Sequence, residues 1–404
     1  MNARNAAYHA LLAYLRDESP IMDTLELWQK QSMPAGRDFA LAYEIASGST
    51  RMALHLDEVA KQLSSNGKLS IKLKEKALLR TAIYQYCFMS KIPVYAMINE
   101  TIEIAKVYCH PSFVKYVNAL LRKLVLLPKD QFKDKMDLGI YYSYPKYFVD
   151  RVVNDYGEKT AVDILEAGNQ APVVMARIRQ SGDVKMPQFE ICDRDSLNQM
   201  AASPKYYIQN STPALLAYHL YQAMEKYLPE GPKNILDLCA SPGGKLLIAH
   251  EFYPKAELFA NDVSKQKISR LRENLDKYGI DAVISCGPGE EYPLEKKFGL
   301  IILDVPCSNS GVLNKRPEAR WRLKPENLRQ LNSIQTDLLE HAAKLLQPEG
   351  AIWFMTCSLL KDENERFIEK IAKKLTLHIV YTKTILPGGT GADGGFAALL
   401  FRDE

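Results

Sequence analysis

The chain has no C-x-x-C pair, no apolar run long enough to span a bilayer, no internal repeat and no low-complexity tract. Its seven cysteines are odd in number and widely scattered, which excludes a disulfide framework and a thiolate zinc site and fits a reducing compartment. No small-residue cleavage signal follows the short apolar stretch near the start, so the expectation is a cytoplasmic protein with no membrane and no metal partner. The dinucleotide fingerprint G-x-G-x-x-G is missing, as is the phosphate-loop pattern G-x-x-x-x-G-K-[ST], because Leu246 follows Lys245. Charge is nearly balanced, with 52 basic and 48 acidic residues for a net +4, so composition alone names no partner. The excess is uneven: residues 1–140 hold 19 basic and 14 acidic side chains, and the remainder is close to neutral.

What is present is an ordinary globular composition, 47% hydrophobic and 25% charged over 404 residues, enough for two or three domains. From Asn5 to about Leu127 apolar residues recur at three and four, as in Ala77, Leu78, Thr81, Ala82 and Tyr84, which predicts packed helices. Breaks are expected at Ser19-Pro20, Met33-Pro34-Ala35-Gly36, Asn66-Gly67 and Ile92-Pro93. Residues 138–205 mix short apolar runs with Gly, Pro and charges and read as a small connecting domain. From 206 onward, strand-like runs at 234–238, 257–262, 282–286, 299–305 and 351–357 alternate with helical stretches, the signature of a parallel sheet with helices on both faces. Two further runs, LTLHIVYTKTIL and GFAALLFR, flank a Gly-rich turn and should close the sheet as an antiparallel pair, which favours a methyltransferase sheet over a dehydrogenase sheet. The expected division is therefore 1–137, 138–205 and 206–404.

The first strand of the last domain runs into Pro242-Gly243-Gly244-Lys245 and then a helix, which offers backbone amides to a nucleotide-like ligand at the carboxyl end of the sheet. The second strand ends at Asp262, where a carboxylate can take both hydroxyls of a ribose, although the same residue could simply cap the next helix. Cys307 follows the fourth strand and Cys357 the fifth, so both should face that crevice with Asp304 beside them. A single cysteine is more often a small buried hydrophobe; two at adjoining strand ends point to chemistry. Carbon 5 of a pyrimidine becomes nucleophilic only after a thiolate adds at carbon 6, and a second basic group must later help remove the carbon 5 proton. A buried carboxyl that keeps its proton can hydrogen-bond ring nitrogen 3.

These residues carry a resemblance. RDFALAYEIASGSTR (37–51), LLRTAIYQYCFMSKIP (78–93) and FVKYVNALLRKL (113–124), followed by DLCASPGGK (237–245), DVPCSNSGVLNKRPEARWRL (304–323) and TCSLLKDENE (356–365), make the chain similar to the bacterial 16S rRNA (cytosine-5) methyltransferases of the Sun/Fmu type. The likeness implies a multi-domain fold: an all-α NusB-like RNA-binding domain, a small α/β linker and a Rossmann-like class I methyltransferase domain. It implies S-adenosylmethionine as cofactor, small-subunit ribosomal RNA as partner, and 5-methylcytosine as product. Cys357 would be the nucleophile and Cys307 would assist product release. Asp304 would hold the target cytosine and border the cofactor, which Cys239, Ala240, Ser241, Pro242, Gly243, Gly244, Lys245 and Asp262 would hold.

Two basic stretches are candidate RNA contacts: Lys72, Lys74, Lys76 and Arg80 in the helical region, and Lys315, Arg316, Arg320 and Arg322 after Cys307. Either could instead be a solvated face. Several positions depart from the family pattern. Ser241 replaces alanine, Leu246 replaces threonine, Asn309 replaces glycine and Ser310 replaces threonine; Cys286-Gly287-Pro288-Gly289 stands where an aspartate faces the adenine, and Arg179 stands where asparagine is common. Asn364 is expected to cap and orient the helix after Cys357. A monomer is expected. The rival readings are a nicotinamide oxidoreductase, against which the missing fingerprint speaks, and a catalytically idle RNA-binding factor, against which the paired cysteines speak.

Overall fold

The computed structural model describes residues 2–402 apart from 66, 129–131, 133–135, 181–183, 194 and 390. Of the expected breaks, Asn66 lies outside the described residues. The chain divides into two compact units, Met1–Asp150 and Arg151–Glu404.

The first unit is helical: α1 (Ala3–Asp17), α2 (Ile21–Ser32), α3 (Gly36–Arg51), α4 (Ala53–Leu63), α5 (Leu73–Phe88), α6 (Val94–Tyr108), α7 (Pro111–Leu124), α8 (Leu138–Tyr142) and the start of α9 (Lys146–Tyr156). Proline breaks separate α1 from α2, α2 from α3 and α5 from α6, while α7 starts with Pro111 at its first position, where the missing N–H costs nothing. Helix α5 is buried nearly all round, from Ala77 to Gln85, so it is the axis on which the others pack. Gly48 on α3 permits that packing, because a Cβ there would fall 1.9 Å from the Tyr84 ring.

The second unit continues with α10 (Glu158–Ala167) and a three-stranded antiparallel sheet of β1 (Met175–Ile178), β2 (Gln188–Ile191) and β3 (Tyr206–Ile208), in the order β2-β1-β3, with α11 (Ser196–Ala202) between its last two strands. Its third strand comes from beyond residue 205, so the small sheet and the larger one share a stretch of chain. After α12 (Ser211–Met224) come β4 (Asn234–Asp237), α13 (Gly244–Phe252), β5 (Glu257–Asp262), α14 (Lys265–Tyr278), β6 (Val283–Cys286), β7 (Phe298–Asp304), α15 (Pro325–Leu345), β8 (Leu346–Thr356), α16 (Glu365–Lys374), β9 (Leu377–Ile385) and β10 (Gly395–Arg402). These strands form one seven-stranded sheet in the order β6-β5-β4-β7-β8-β10-β9, parallel through β8, with β10 antiparallel to both of its neighbours.

This is the Rossmann-like class I methyltransferase architecture. Strands β4, β7 and β8 are buried throughout or nearly so, as continuous apolar runs covered on two faces must be. One core layer is built on Leu246, Leu271, Trp353 and Leu399, and the opposite layer on Leu303, Leu339, Phe354 and Ile368. The chain reverses direction across the sheet between β4 and β7, and the crevice at that switch point collects the carboxyl ends of the strands. Asp237, Asp262 and Asp304 are the last residues of β4, β5 and β7, and Cys357 immediately follows β8.

Candidate active site

The loop from β4 to α13 turns tightly. Gly243 adopts φ 103°, a left-handed conformation that favours glycine, and its N–H donates to the Ala240 carbonyl at 2.6 Å. Asp262 is buried against this loop: its carboxylate accepts from the Ser241 N–H at 3.3 Å and the Ser264 N–H at 3.2 Å. Helix α14 is capped by Ser264, not by Asp262, which removes the simpler role considered for that aspartate.

A cavity opens beside this loop, lined by Ala240, Ser241, Pro242, Gly244 and Lys245, by Asp237 and Asp304, and on the facing side by Tyr207, Ile208 and Gln209. The last three come from the end of β3, and sequence reasoning did not assign them; their signal was the polar run Gln209-Asn210 after a short strand. That wall is tied to α13 through Glu251, which accepts from Arg177 and, at 3.2 Å, from Arg179, both on or next to β1. Arg179, the departure noted in the linker, is engaged within the protein and lies over the Tyr278 ring at 4.7 Å.

Asp237 is the most perturbed acid of the cavity. Oδ1 accepts weakly from the Cys239 N–H at 3.3 Å, and buried Oδ2 has no partner among the described residues. Burial first, and the neighbouring Asp304 carboxylate second, push its carboxyl up to about 8. Gln209 Oε1 is likewise buried with no partner among the described residues. Burial also pushes the Cys239 thiol up, so it stays a thiol.

Lys245 reaches across to Asp304 with Nζ–Oδ2 at 2.6 Å. Burial disfavours its charge, but the Asp304 carboxylate outweighs that and Cys357 adds in the same direction, so the ammonium is held above its ordinary range. Asp304 is one-third exposed (34%), and so remains accessible from the crevice. The buried, proton-retaining carboxyl is therefore Asp237, whereas Asp304 is partly exposed and paired with Lys245.

The two cysteines meet. Cys307 Sγ and Cys357 Sγ are 3.1 Å apart, with Cys307 buried and Cys357 half-buried. The hydrogen bond to Cys357, with burial after it, holds the Cys307 thiol well above its ordinary range. Asn309 has φ 58°, the left-handed region that glycine or asparagine tolerates, which is why asparagine can replace glycine there. Its side chain adds something glycine lacks: Oδ1 accepts from Cys357 Sγ at 3.2 Å and Nδ2 donates to the Cys307 carbonyl at 3.0 Å.

Gly311 packs on Gly394 so closely that a Cβ would lie 2.3 Å from the Gly394 carbonyl oxygen. Asn364 occupies the first position before α16, but its side chain makes no helix cap. It accepts from Thr356 Oγ1 at 2.6 Å and donates to the Ser358 carbonyl at 2.9 Å, fixing the residues on either side of Cys357.

Of the basic candidates, several are committed elsewhere. Arg80 forms a two-pronged pair with Asp57 at 2.8 and 2.7 Å, and Lys76 joins the same carboxylate at 2.9 Å. Arg320 is fully buried and donates to the Gly168 carbonyl and Asn169 Oδ1. Lys315 pairs with Asp393 at 2.6 Å. Lys72, Arg316 and Arg322 are exposed, and Lys74 is half-buried.

Among the described residues no helix is long and apolar enough to cross a membrane, and no cluster of three His, Cys, Asp or Glu side chains could hold a metal ion.

Comparison with known proteins agrees with this geometry. Residues 226–400 match the family model described as 16S rRNA methyltransferase RsmB/F, and residues 1–125 match the NusB family. The curated ribosomal RNA small subunit methyltransferase B of Proteus mirabilis (strain HI4320) is 27% identical, over 99% of this chain and 98% of that one. Its counterpart in Enterobacter sp. (strain 638) is 26% identical over 92% and 93%. Among solved structures, that of PH0851 superposes with a TM-score of 0.73 at 21% identity, covering 99% of each chain. NSun6 from Pyrococcus horikoshii with SFG superposes at 0.53 and 16% identity, over 65% of this chain and 99% of that one.

The cofactor is S-adenosylmethionine, and the cavity fits it: the buried acceptors Asp237 Oδ2 and Gln209 Oε1, without a partner among the described residues, suit a ligand carrying an ammonium and a sulfonium. Over residues 226–400 this chain is similar to the family described as 16S rRNA methyltransferase RsmB/F, and over residues 1–125 to the NusB family.

Proposed function

We propose that the protein methylates carbon 5 of a cytosine in small-subunit ribosomal RNA through a covalent bond between Cys357 and carbon 6. The observation that carries this reading is the pair of thiols 3.1 Å apart at the ends of adjoining strands, beside the Lys245–Asp304 pair and the glycine-loop cavity. S-adenosylmethionine supplies the electrophilic methyl group when bound, held by residues 239–245, Asp262, Asp237 and the β3 wall.

The protein's own residues do the rest. Cys357 Sγ, as the thiolate left once its proton has passed to solvent, adds to carbon 6, and the electron pair of the 5,6 double bond moves onto carbon 5. Asp304 holds nitrogen 3 and the exocyclic amine of the base, and the proton that nitrogen 3 needs can pass through Asp304 from Lys245. Once carbon 5 carries its methyl group, Cys307 assists departure of the carbon 5 proton. The electrons of that C–H bond re-form the double bond as the Cys357–carbon 6 bond breaks and thiolate returns. The base must be unpaired or flipped out to reach the crevice.

Residues 1–137 serve as an RNA-binding domain in this reading, and 138–205 as a link that leads into the cofactor wall at residues 207–209. Exposed Arg316 and Arg322, with Lys72 and Lys74, are the phosphate contacts. The test is incorporation of labelled methyl groups into undermethylated 16S rRNA, with bisulfite sequencing before and after reaction. One protected cytosine, absent with Cys357→Ser, is expected; label entering at an atom other than carbon 5, or none at all, overturns the reading.

A further inference from the structure

The two cysteines are held to each other from beneath by a group that takes no part in the proposed reaction. Glu363 is completely buried. Its Oε1 accepts from the Ser308 N–H at 2.8 Å and from Gln335 Nε2 at 3.4 Å, and its Oε2 accepts from Ser358 Oγ at 2.6 Å. Ser308 follows Cys307 and Ser358 follows Cys357, so a single carboxylate spans the residues next to both thiols.

We propose that Glu363 is the positioning residue of this site, its carboxylate fixing the separation of Cys307 and Cys357 by bridging the loop after β7 to the loop after β8. This inference rests on the reading of those cysteines as the reacting pair.

The surroundings favour a positioning role over a general packing one. An isolated buried carboxylate is costly, and it persists only where donors are aimed at it. Here they come from three elements, and Gln335 on α15 also donates to the Pro306 carbonyl at 2.9 Å, so the Pro306-Cys307 backbone is gripped twice. The hydroxyls of Ser308, Ser310 and Ser358 lie 3.0 to 3.2 Å from one another, and Ser310 and Ser358 accept from the Leu359 and Leu360 N–H groups at 2.8 and 3.0 Å. Replacing Glu363 by an apolar residue would leave the Ser308 N–H and the Ser358 hydroxyl without their acceptor, and a half-satisfied network of this kind rearranges. The burial that makes this carboxylate sensitive also raises its pKa above the ordinary glutamate range.

The test uses the full-length protein with Glu363→Ala and Glu363→Gln. Three quantities are measured: affinity for S-adenosylhomocysteine by calorimetry, kcat and KM for methyl transfer to 16S rRNA, and the rate at which diamide joins Cys307 to Cys357, followed by peptide mass mapping. In that last reaction the diazene takes up the two thiol hydrogens and is reduced to the hydrazine as the disulfide forms.

With Glu363→Ala, kcat should fall about 100-fold, the usual cost of misplacing reacting groups by an ångström. KM and S-adenosylhomocysteine affinity should stay unchanged, and disulfide formation should slow. Glu363→Gln keeps an acceptor for the Ser308 N–H and should lose only about tenfold, the equivalent of one weakened hydrogen bond. Unchanged kcat and unchanged disulfide rate in Glu363→Ala overturn the proposal. So does loss of cofactor affinity in step with kcat in both variants, which would mark a general structural role. If the wild-type protein methylates no RNA, the proposed function fails, while the disulfide rates still decide whether Glu363 sets the spacing.

Discussion

Two buried carboxylates of the same unit, Asp237 and Glu363, are treated in opposite ways. Asp237 Oδ2 has no partner among the described residues and borders a cavity, whereas both oxygens of Glu363 are occupied by donors from the protein. Burial raises both. An acid left incomplete is completed by a ligand; an acid fully engaged holds its neighbours still. In the proposed reading the difference separates the side of the crevice that takes the cofactor from the side that presents the thiols, and substitutions on each side should have distinct effects.

The largest effect is expected from the thiol side. Cys357→Ser should lower methyl transfer by on the order of 10⁴-fold or more, as loss of a covalent nucleophile does, with S-adenosylhomocysteine affinity unchanged in calorimetry. An active Cys357→Ser protein would remove the nucleophile assignment. Cys307→Ala should retain the attack and lose the release, leaving an RNA–protein adduct that migrates slowly on a denaturing gel; a lane with no adduct speaks against a release role.

On the cofactor side, Asp237→Asn should weaken S-adenosylmethionine by about 10- to 100-fold, the range for one charge-assisted hydrogen bond, with little effect on diamide coupling of the cysteines. The same variant sharpens the comparison through pH. Asp237 titrates near 8 in the folded protein against about 3.9 when unfolded, so the folded form binds its proton more tightly. The stability this contributes is complete below about pH 4 and is lost as pH rises through 8. The wild-type melting temperature should therefore fall between pH 6 and 9 by roughly 5 °C more than that of Asp237→Asn. Parallel curves for the two proteins would mean that the acid is not held neutral.

The smallest effects concern charge at the surface. Arg316→Ala and Arg322→Ala should each reduce the slope of log affinity for RNA against log salt by about 1. Arg80→Ala should leave that slope alone and lower the melting temperature, because its partner is Asp57.

These basic residues also show where sequence reading stops. The periodicity of residues 5–127 and the alternation after 206 were enough for the helical front, the order of strands and helices and the antiparallel closure, because each depends on local burial pattern. Strand ends were legible too, and they placed Cys307, Cys357, Asp304 and Asp262 at one edge. Illegible was anything decided by a distant partner. Nothing in the run 68–80 tells that Asp57 takes up two of its cations, and nothing in 304–323 tells that Arg320 is buried against Gly168 and Asn169. Asn364 was expected as a cap from its position before α16, yet its amide holds Thr356 and the Ser358 carbonyl instead. Tyr207 and Ile208 belong to a small sheet, and with Gln209 just beyond it they reach the cavity.

The contact between Gly311 and Gly394 has a consequence for how the protein is made. Gly311 donates its N–H to the Cys357 carbonyl and accepts at its own carbonyl from the Gly394 N–H, immediately before β10 begins. The backbone of Cys357 is thus tied through Gly311 to Gly394, a residue synthesised well after it. A nascent chain that has just passed Cys357 has both cysteines and lacks the Gly394 contact, which can form only once the residues leading into β10 have been made.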